Sequence, residues 1–174
     1  MRNTRSTLIL CGLLLALGLA LPTQPAQSQS AGPPLLSIRK TITTAQLLAL
    51  NATPVSLIAA PGAGRMIVFE GATLYKAAGT AYAGIAAGED IGIKYTGSSG
   101  LEVAACETTG FLDQTTAQVR YVRARTGALA AGTVSDIVPV ANAALVAHML
   151  VGEITTGDSD QKVRVFYRIL PSTL

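Results

Sequence analysis

The clearest pattern along the chain is an alternation of apolar and polar positions over residues 162–170. One face would hold Val163, Val165, Tyr167 and Ile169, and the other Lys162, Arg164, Phe166 and Arg168. A period of two with β-branched residues is typical of a strand in a half-solvated or interface sheet. Residues 143–151 are apolar throughout, and this instead predicts a strand covered on both faces.

Shorter β-favouring segments precede these two at intervals near ten residues, separated by glycine- and proline-bearing turns. The predicted strands are residues 36–42, 55–60, 65–76, 91–95, 101–107 and 118–125. Gly71 inside a long strand predicts a bulge rather than a break. The mixed composition of residues 118–125 indicates an edge or interface strand. Residues 126–141 are predicted to be a long loop with a short extended piece at 134–138.

One short helix is predicted after the first strand. Thr43 can cap free amides at a helix start, and Gln46 three positions later can reach back to the backbone of Thr43. Leu47, Leu48 and Leu50 continue the helix, which would stop at Asn51. Many strands and one helix predict an all-β domain over residues 36–174, behind a flexible lead-in at 29–35. A sandwich, a jelly roll and a barrel all fit this pattern, and a jelly-roll-like sandwich is preferred.

The first 28 residues have the order of a secretory leader. Arg2 and Arg5 form a basic head, residues 8–21 are uncharged and apolar, and Ala26 and Ser28 frame a small-x-small pattern. This order predicts a signal peptide over residues 1–28, and export to the periplasm or the exterior. The alternative is an uncleaved anchor, although the run is short against the roughly 20 residues of a membrane span.

Cleavage changes the charge balance. The chain has 13 Lys and Arg residues against 10 Asp and Glu, and loss of Arg2 and Arg5 leaves 11 against 10. A net charge of +1 gives no support for a nucleic-acid partner, and no membrane partner is expected after cleavage. Arg120, Arg123 and Arg125 are closely spaced, and a solvated strand face is favoured over a basic patch.

The sequence gives little support for any set of catalytic residues. The single histidine, His148, lies inside an apolar strand, and residues 97–100 lack the spacing of a nucleophile elbow. A structural or interface histidine is therefore favoured over a general base. Cys11 belongs to the leader and leaves Cys106 alone, so no internal disulfide is possible. A buried Cys106 is favoured over a reactive or intermolecular thiol, and the chain is expected not to be an enzyme.

Cofactor and metal sites find equally little support, so none is predicted. Asp158 and Asp160, with Glu153 nearby, offer oxygen ligands for calcium, but a solvated turn is favoured because no coordination spacing is present. The adjacent Glu89 and Asp90 are interpreted as solubilising. Residues 61–65 lack the Lys-Ser/Thr end of a phosphate-binding loop and are interpreted as a hairpin turn.

The order of these motifs resembles a known class of proteins. The segments are TTAQLLALNATP at 43–54, PGAG at 61–64, AYAG at 81–84, IGIKY at 91–95, NAAL at 142–145, GD at 157–158 and VRVFYR at 163–168. In this order they resemble small structural proteins of tailed bacteriophages and prophages, which decorate or cement capsids or contribute to fibres. The resemblance implies a compact β fold, self-association into a trimer or another small ring, no catalysis, and a place in the virion.

Two functions are therefore carried forward. The first is a non-enzymatic structural subunit that assembles with copies of itself and with a capsid or cell-surface protein. Phe166 on the polar side of its strand, and the mixed strand around Val122, favour such an interface. The second is a secreted or periplasmic binding module for a glycan, a peptide or a surface partner, and it is favoured by the leader, which virion subunits do not need.

Overall fold

Eight strands and one short helix make up the regular structure in a computed structural model that describes residues 32–85, 88–124, 137–152 and 154–173. In chain order the elements are β1 (Leu36–Ile42), α1 (Thr44–Leu48), β2 (Val55–Ile58), β3 (Arg65–Lys76), β4 (Ile91–Tyr95), β5 (Glu102–Cys106), β6 (Gln118–Arg123), β7 (Leu145–Met149) and β8 (Gln161–Pro171). All of them lie in one compact unit, Ala31–Leu174.

The strands form two four-stranded antiparallel sheets. Sheet A has the order β1-β8-β3-β6 and sheet B the order β2-β7-β4-β5. The outermost strands of the chain pair with each other, β1 with β8 and β2 with β7, and so do the inner ones, β3 with β6 and β4 with β5. This nested pairing is the strand order of a jelly roll. The predicted all-β fold is confirmed.

The predicted difference between the last two strands is also confirmed. The first five residues of β8 alternate strictly between buried and exposed, whereas all five residues of β7 are buried. Residues 166–170 of β8 are all half-buried, so the alternation predicted over residues 162–170 holds only in its first half. The register of β3 against β8 shifts between Phe69 and Gly71, which is the bulge that the glycine predicts. β6 is an edge strand, as its composition indicates, and it ends at Arg123.

Apolar side chains from both sheets form the core between them. Sheet A contributes Ile67, Leu74 and Val165, and sheet B contributes Ile93 and Val103, each at most 1% exposed. The hydroxyl of Tyr95 in sheet B donates a hydrogen bond to the Ile67 carbonyl in sheet A. The two sheets are thus joined by apolar packing and by a buried polar contact.

The helix begins where the sequence predicts. The Gln46 amide donates to Thr43 Oγ1 at 3.3 Å, and the Thr43 amide donates to Gln46 Oε1 at 3.0 Å, which completes a capping box. The Thr44 amide donates to the Asp160 carboxylate at 2.8 Å, and Leu47 is fully buried in the core. The five-residue helix therefore carries the chain from sheet A to sheet B.

One predicted turn is wrong. Residues 61–64 connect β2 in sheet B to β3 in sheet A, so they cross between the sheets and are not a hairpin. The Asn142 side chain accepts a hydrogen bond from the Gly62 amide at 3.0 Å, and the Asn142 amide donates to the Arg65 carbonyl at 2.7 Å. Residues 96–100, by contrast, do form a hairpin turn, because they join the paired strands β4 and β5.

Several predictions fall on residues outside the described ranges. They are the leader at 1–28, the first part of the lead-in, and residues 134–136 of the predicted extended piece; Ile137 and Val138 are described and belong to no strand. Within the described part of the chain, no helix is both long and apolar enough to cross a membrane.

Candidate functional site

The outer face of sheet A is the most distinctive surface of the described residues. The strand register brings its outward side chains into three rows. The rows are Thr41, Lys162, Tyr75 and Val119; then Arg39, Arg164, Thr73 and Tyr121; then Ser37, Phe166, Gly71 and Arg123. Cations and aromatic rings are interspersed on this surface, which we call the basic-aromatic face.

Charge is distributed very unevenly between the sheets. Nine Lys or Arg residues lie in the four strands of sheet A, and Glu70 is their one acidic residue. Glu70 is itself paired, because Arg168 Nε lies 2.9 Å from its Oε1. The strands of sheet B contain one lysine, Lys94, and one glutamate, Glu102. The small net charge of the whole chain therefore conceals a strongly basic sheet.

Aromatic rings lie under the cations of this face. The Arg164 guanidinium lies 5.0 Å from the Phe166 ring centre, and Lys162 Nζ lies 5.9 Å from that of Tyr75. Arg123 lies 5.8 Å from the ring centre of Tyr121. Such contacts are worth about 0.5–1 kcal/mol at exposed sites, so they favour defined positions for side chains that otherwise move freely.

Gly71 allows one of these rings to lie close to the sheet. A Cβ at this position would be 2.8 Å from Tyr121 Oη and 3.0 Å from the Val122 carbonyl. The same glycine stands beside Phe166 in the register. A larger residue here would push the Tyr121 ring away from the sheet, so the bulge at Gly71 shapes the face as well as the strand.

A shallow groove of about 420 Å³ runs along β8 between β1 and β3. Arg39, Lys162 and Arg164 provide its charge, and Tyr75 and Phe166 provide its apolar surface. Hydroxyls of Thr41 and Thr73 also line it, and Arg164 Nη2 donates to Ser37 Oγ at 3.2 Å beside it. The groove can accept an anionic group together with a polar, uncharged one.

The two candidate nucleophile and base residues do not meet. The register pairs Cys106 with Ile91, and Ile91 with Met149. His148, the neighbour of Met149 in β7, pairs with Gly92 instead. Because successive side chains point to opposite faces of a strand, Cys106 and His148 project from opposite faces of sheet B. Burial also raises the pKa of the Cys106 thiol to about 12, which leaves it protonated and unreactive near neutral pH.

His148 has a structural position. Its side chain is 6% exposed, and Nε2 lies 2.9 Å from the carbonyl oxygen of Asn51. A carbonyl can only accept, so Nε2 carries the proton of this hydrogen bond. The contact ties the segment before β2 to β7, in agreement with the structural interpretation of this histidine.

The two aspartates considered for calcium hold loops together. Asp158 accepts from the Thr80 amide at 2.6 Å and from the Thr80 hydroxyl at 2.7 Å, and these hydrogen bonds lower the pKa of its carboxyl. Asp160 accepts from Thr44, at the start of α1. The carboxylates therefore connect loops, and both aspartates are exposed, in agreement with the interpretation of this segment as solvated. Glu153 lies outside the described residues.

The adjacent acids Glu89 and Asp90 are not a solvated pair. Glu89 is only 8% exposed, and its carbonyl accepts a hydrogen bond from the Thr108 hydroxyl. A Cβ at Gly152 would lie 1.8 Å from Glu89 Oε1, so the glycine makes room for this carboxylate. The solubilising interpretation is therefore wrong for Glu89.

The three arginines considered as a local patch are separated by the strand. Arg120 points toward the inner side of β6, lies 5.4 Å from the Phe111 ring centre and donates to the Gly110 carbonyl. Arg123 points outward onto the basic-aromatic face, and Arg125 lies outside the described residues. The solvated-face interpretation holds for Arg123 and is wrong for Arg120.

In the described ranges, no three His, Cys, Asp or Glu side chains come together in a way that could hold a metal ion. Comparison with known proteins finds no family model, no curated protein and no solved structure that matches this chain.

The sequence interpretation missed the basic-aromatic face because it treated the arginines and lysines as scattered. The signal was present in the strands themselves, since the β-favouring segments 36–42, 65–76, 118–123 and 161–171 contain nine cations and one acid. Recognising it requires knowing that these four segments share one sheet.

Proposed function

We propose that this protein is a non-enzymatic, exported binding module that attaches to an anionic partner on a cell or capsid surface through the basic-aromatic face. The observation that carries the proposal is the concentration of exposed cations, Arg39, Arg123, Lys162 and Arg164, on a face whose one acid is already paired. Clustered charge of one sign steers oppositely charged partners to a surface. The jelly-roll fold agrees with this role by analogy only, because it occurs in lectin and viral capsid domains.

A matched pair of double variants tests this proposal. Arg39→Gln with Arg164→Gln removes two cations from the face, and Arg65→Gln with Lys94→Gln removes two cations elsewhere. Retention of the purified full chain on carboxylate-coated beads should fall about tenfold for the first pair and stay near the original for the second. Equal losses in both would show that only net charge matters, and no retention of the unaltered chain would contradict the proposal.

A second function, the self-assembling structural subunit that the phage resemblance implies, is favoured by the edge strand β6. Its outward residues Val119 and Tyr121 are each 57% exposed, and it ends sheet A. An exposed apolar edge strand is a ready template for pairing with another chain. This edge suits contact between copies better than the cationic part of the basic-aromatic face, around Arg39, Lys162 and Arg164, where a two-fold contact would bring like charges together.

Light scattering tests the second function. The purified full chain should have the mass of a trimer or another small ring at micromolar concentration, and Val119→Lys should shift it toward the monomer. Val138→Lys is the control, since Val138 is 69% exposed and lies outside the strands. A monomer mass for the unaltered chain would contradict self-assembly.

A further inference from the structure

The side chains that line the groove along β8 indicate which class of anionic partner it binds, and this inference rests on the proposed function. We infer that it binds an acidic polysaccharide, a chain of sugars that carry carboxylates. Two cations of the groove, Lys162 and Arg164, are alternate residues on one face of β8, and Arg39 on β1 stands beside Arg164. Alternate residues of an antiparallel strand are about 6.8 Å apart, so the cations are spaced along β8 as well as across to β1.

The width of the groove selects a single chain. β1 and β3 lie on either side of β8, and two strand spacings amount to about 9.6 Å. Proteins that recognise duplex nucleic acid place a helix or a two-stranded ribbon in its groove, and the flat face of sheet A presents neither. The groove therefore accepts one extended polymer that lies along β8.

The positions of the aromatic rings disfavour single-stranded nucleic acid. Single strands bind by stacking their bases on free aromatic faces. Here Arg164 lies over Phe166, Lys162 lies over Tyr75, and Tyr121 lies close to the position that a Gly71 Cβ would take. The rings hold cations in place, so recognition relies on charge and hydrogen bonds.

The hydroxyl groups favour a sugar over an acidic peptide. Thr41 stands beside Lys162 and Thr73 beside Arg164, and Ser37 Oγ accepts a hydrogen bond from Arg164. Each of these hydroxyls can both donate and accept, as sugar hydroxyls do. An extended peptide would gain most by adding its backbone to a sheet edge, whereas β8 lies inside the sheet with both of its edges paired. Guanidinium groups such as Arg39 and Arg164 also match the geometry of carboxylates.

Titration calorimetry with oligogalacturonate as the probe tests this inference on the purified full chain. Binding should be saturable and at least about tenfold tighter than binding of neutral dextran, oligo(dT) or polyglutamate of matched length. Arg164→Gln and Lys162→Gln should each weaken it about tenfold, and Arg65→Gln, at the far end of β3, should not. Circular dichroism and thermal unfolding verify that each variant is folded.

Phe166→Leu distinguishes a positioned cation from mere charge. This variant keeps every charge and removes the ring under Arg164, so oligogalacturonate affinity should fall severalfold while the salt dependence of binding stays unchanged. No change in affinity would overturn the positioning role of Phe166.

The remaining outcomes distinguish a failure of the polysaccharide assignment from a failure of the proposed anionic binding face. Equal or tighter binding of oligo(dT) or polyglutamate overturns the polysaccharide assignment and leaves the anionic binding face standing. Failure of every anionic probe to bind overturns both.

Discussion

The two sheets of this protein have the same number of strands but differ in the burial of their outer faces. In sheet B the central strand β7 is entirely buried and β4 nearly so, whereas in sheet A the central strand β8 buries one face and exposes the other. Parts of the chain cover the outer side of sheet B: the Leu150 side chain lies close to Gly92, and the Asn51 carbonyl lies 2.9 Å from Nε2 of the outward-facing His148. Sheet B is therefore covered on both of its faces, whereas sheet A leaves its outer face solvated.

The distribution of charge follows this difference. A strand buried on both faces has no place for an unpaired cation, because burying a charge costs several kcal/mol unless it is compensated. A strand with one solvated face can carry a cation at every second position. The cations are therefore concentrated in sheet A, and its outer face exposes Arg39, Arg123, Lys162 and Arg164.

The largest expected effect is on core packing in sheet B. Ile93→Ala should lower the free energy of unfolding by about 2–5 kcal/mol, because Ile93 is 1% exposed between the sheets. The matched variant Thr73→Ala, on the outer face of sheet A, should change it by at most about 0.5 kcal/mol. Urea denaturation measures both free energies of unfolding. Similar losses would show that the outer face of sheet A contributes as much to stability as the core does.

The second effect is a loss of stability at alkaline pH that originates in sheet B. Burial raises the pKa of both Tyr95 and Cys106 to about 12, so the unfolded chain ionises first. Stability is complete below the unfolded pKa values and falls as pH rises from about 9 to 12, by about 1.4 kcal/mol per pH unit for each group that titrates. Urea denaturation of the chain, Tyr95→Phe and Cys106→Ala at pH 7, 10 and 11 measures this. Each variant should flatten the decline, and an unchanged slope would argue against these groups.

The third effect concerns the helix that links the sheets. Thr43→Ala removes the side chain that caps α1 and should cost about 1 kcal/mol. Thr53→Ala, an exposed threonine beyond the end of the helix, is the control and should change stability by at most about 0.5 kcal/mol. A thermal melt of both variants distinguishes loss of the cap from a general effect of removing a threonine.

The smallest effect tests whether the basic-aromatic face contributes to stability. Neutralising Arg39, Lys162 and Arg164 together to Gln relieves like-charge repulsion and gives up weak ring contacts, so the free energy of unfolding should change by at most about 0.5 kcal/mol. Any gain should shrink in 1 M salt, where the screening length is about 3 Å. A loss of several kcal/mol would mean that the cations are structural.

The strands were predictable where one local pattern dominated. The alternation at β8, the apolar run at β7 and the glycine bulge in β3 each follow from residues close together in sequence. The crossing at residues 61–64 was not predictable, because a proline-glycine turn has the same local chemistry whether it joins paired strands or different sheets. The buried Glu89 was missed for a similar reason, since Gly152, which accommodates it, lies far away in the chain.

By itself, the sequence determined the class of the fold, the positions of most strands and the capped start of the helix, because hydrophobic period, turn residues and caps act over a few residues. Only the tertiary structure decided which strands share a sheet. The jelly-roll order brings Arg39, Lys162 and Arg164 from two distant segments onto one face, and it places Cys106 and His148 on opposite faces of another sheet. A binding surface depends on such long-range register, which no local pattern of residues contains.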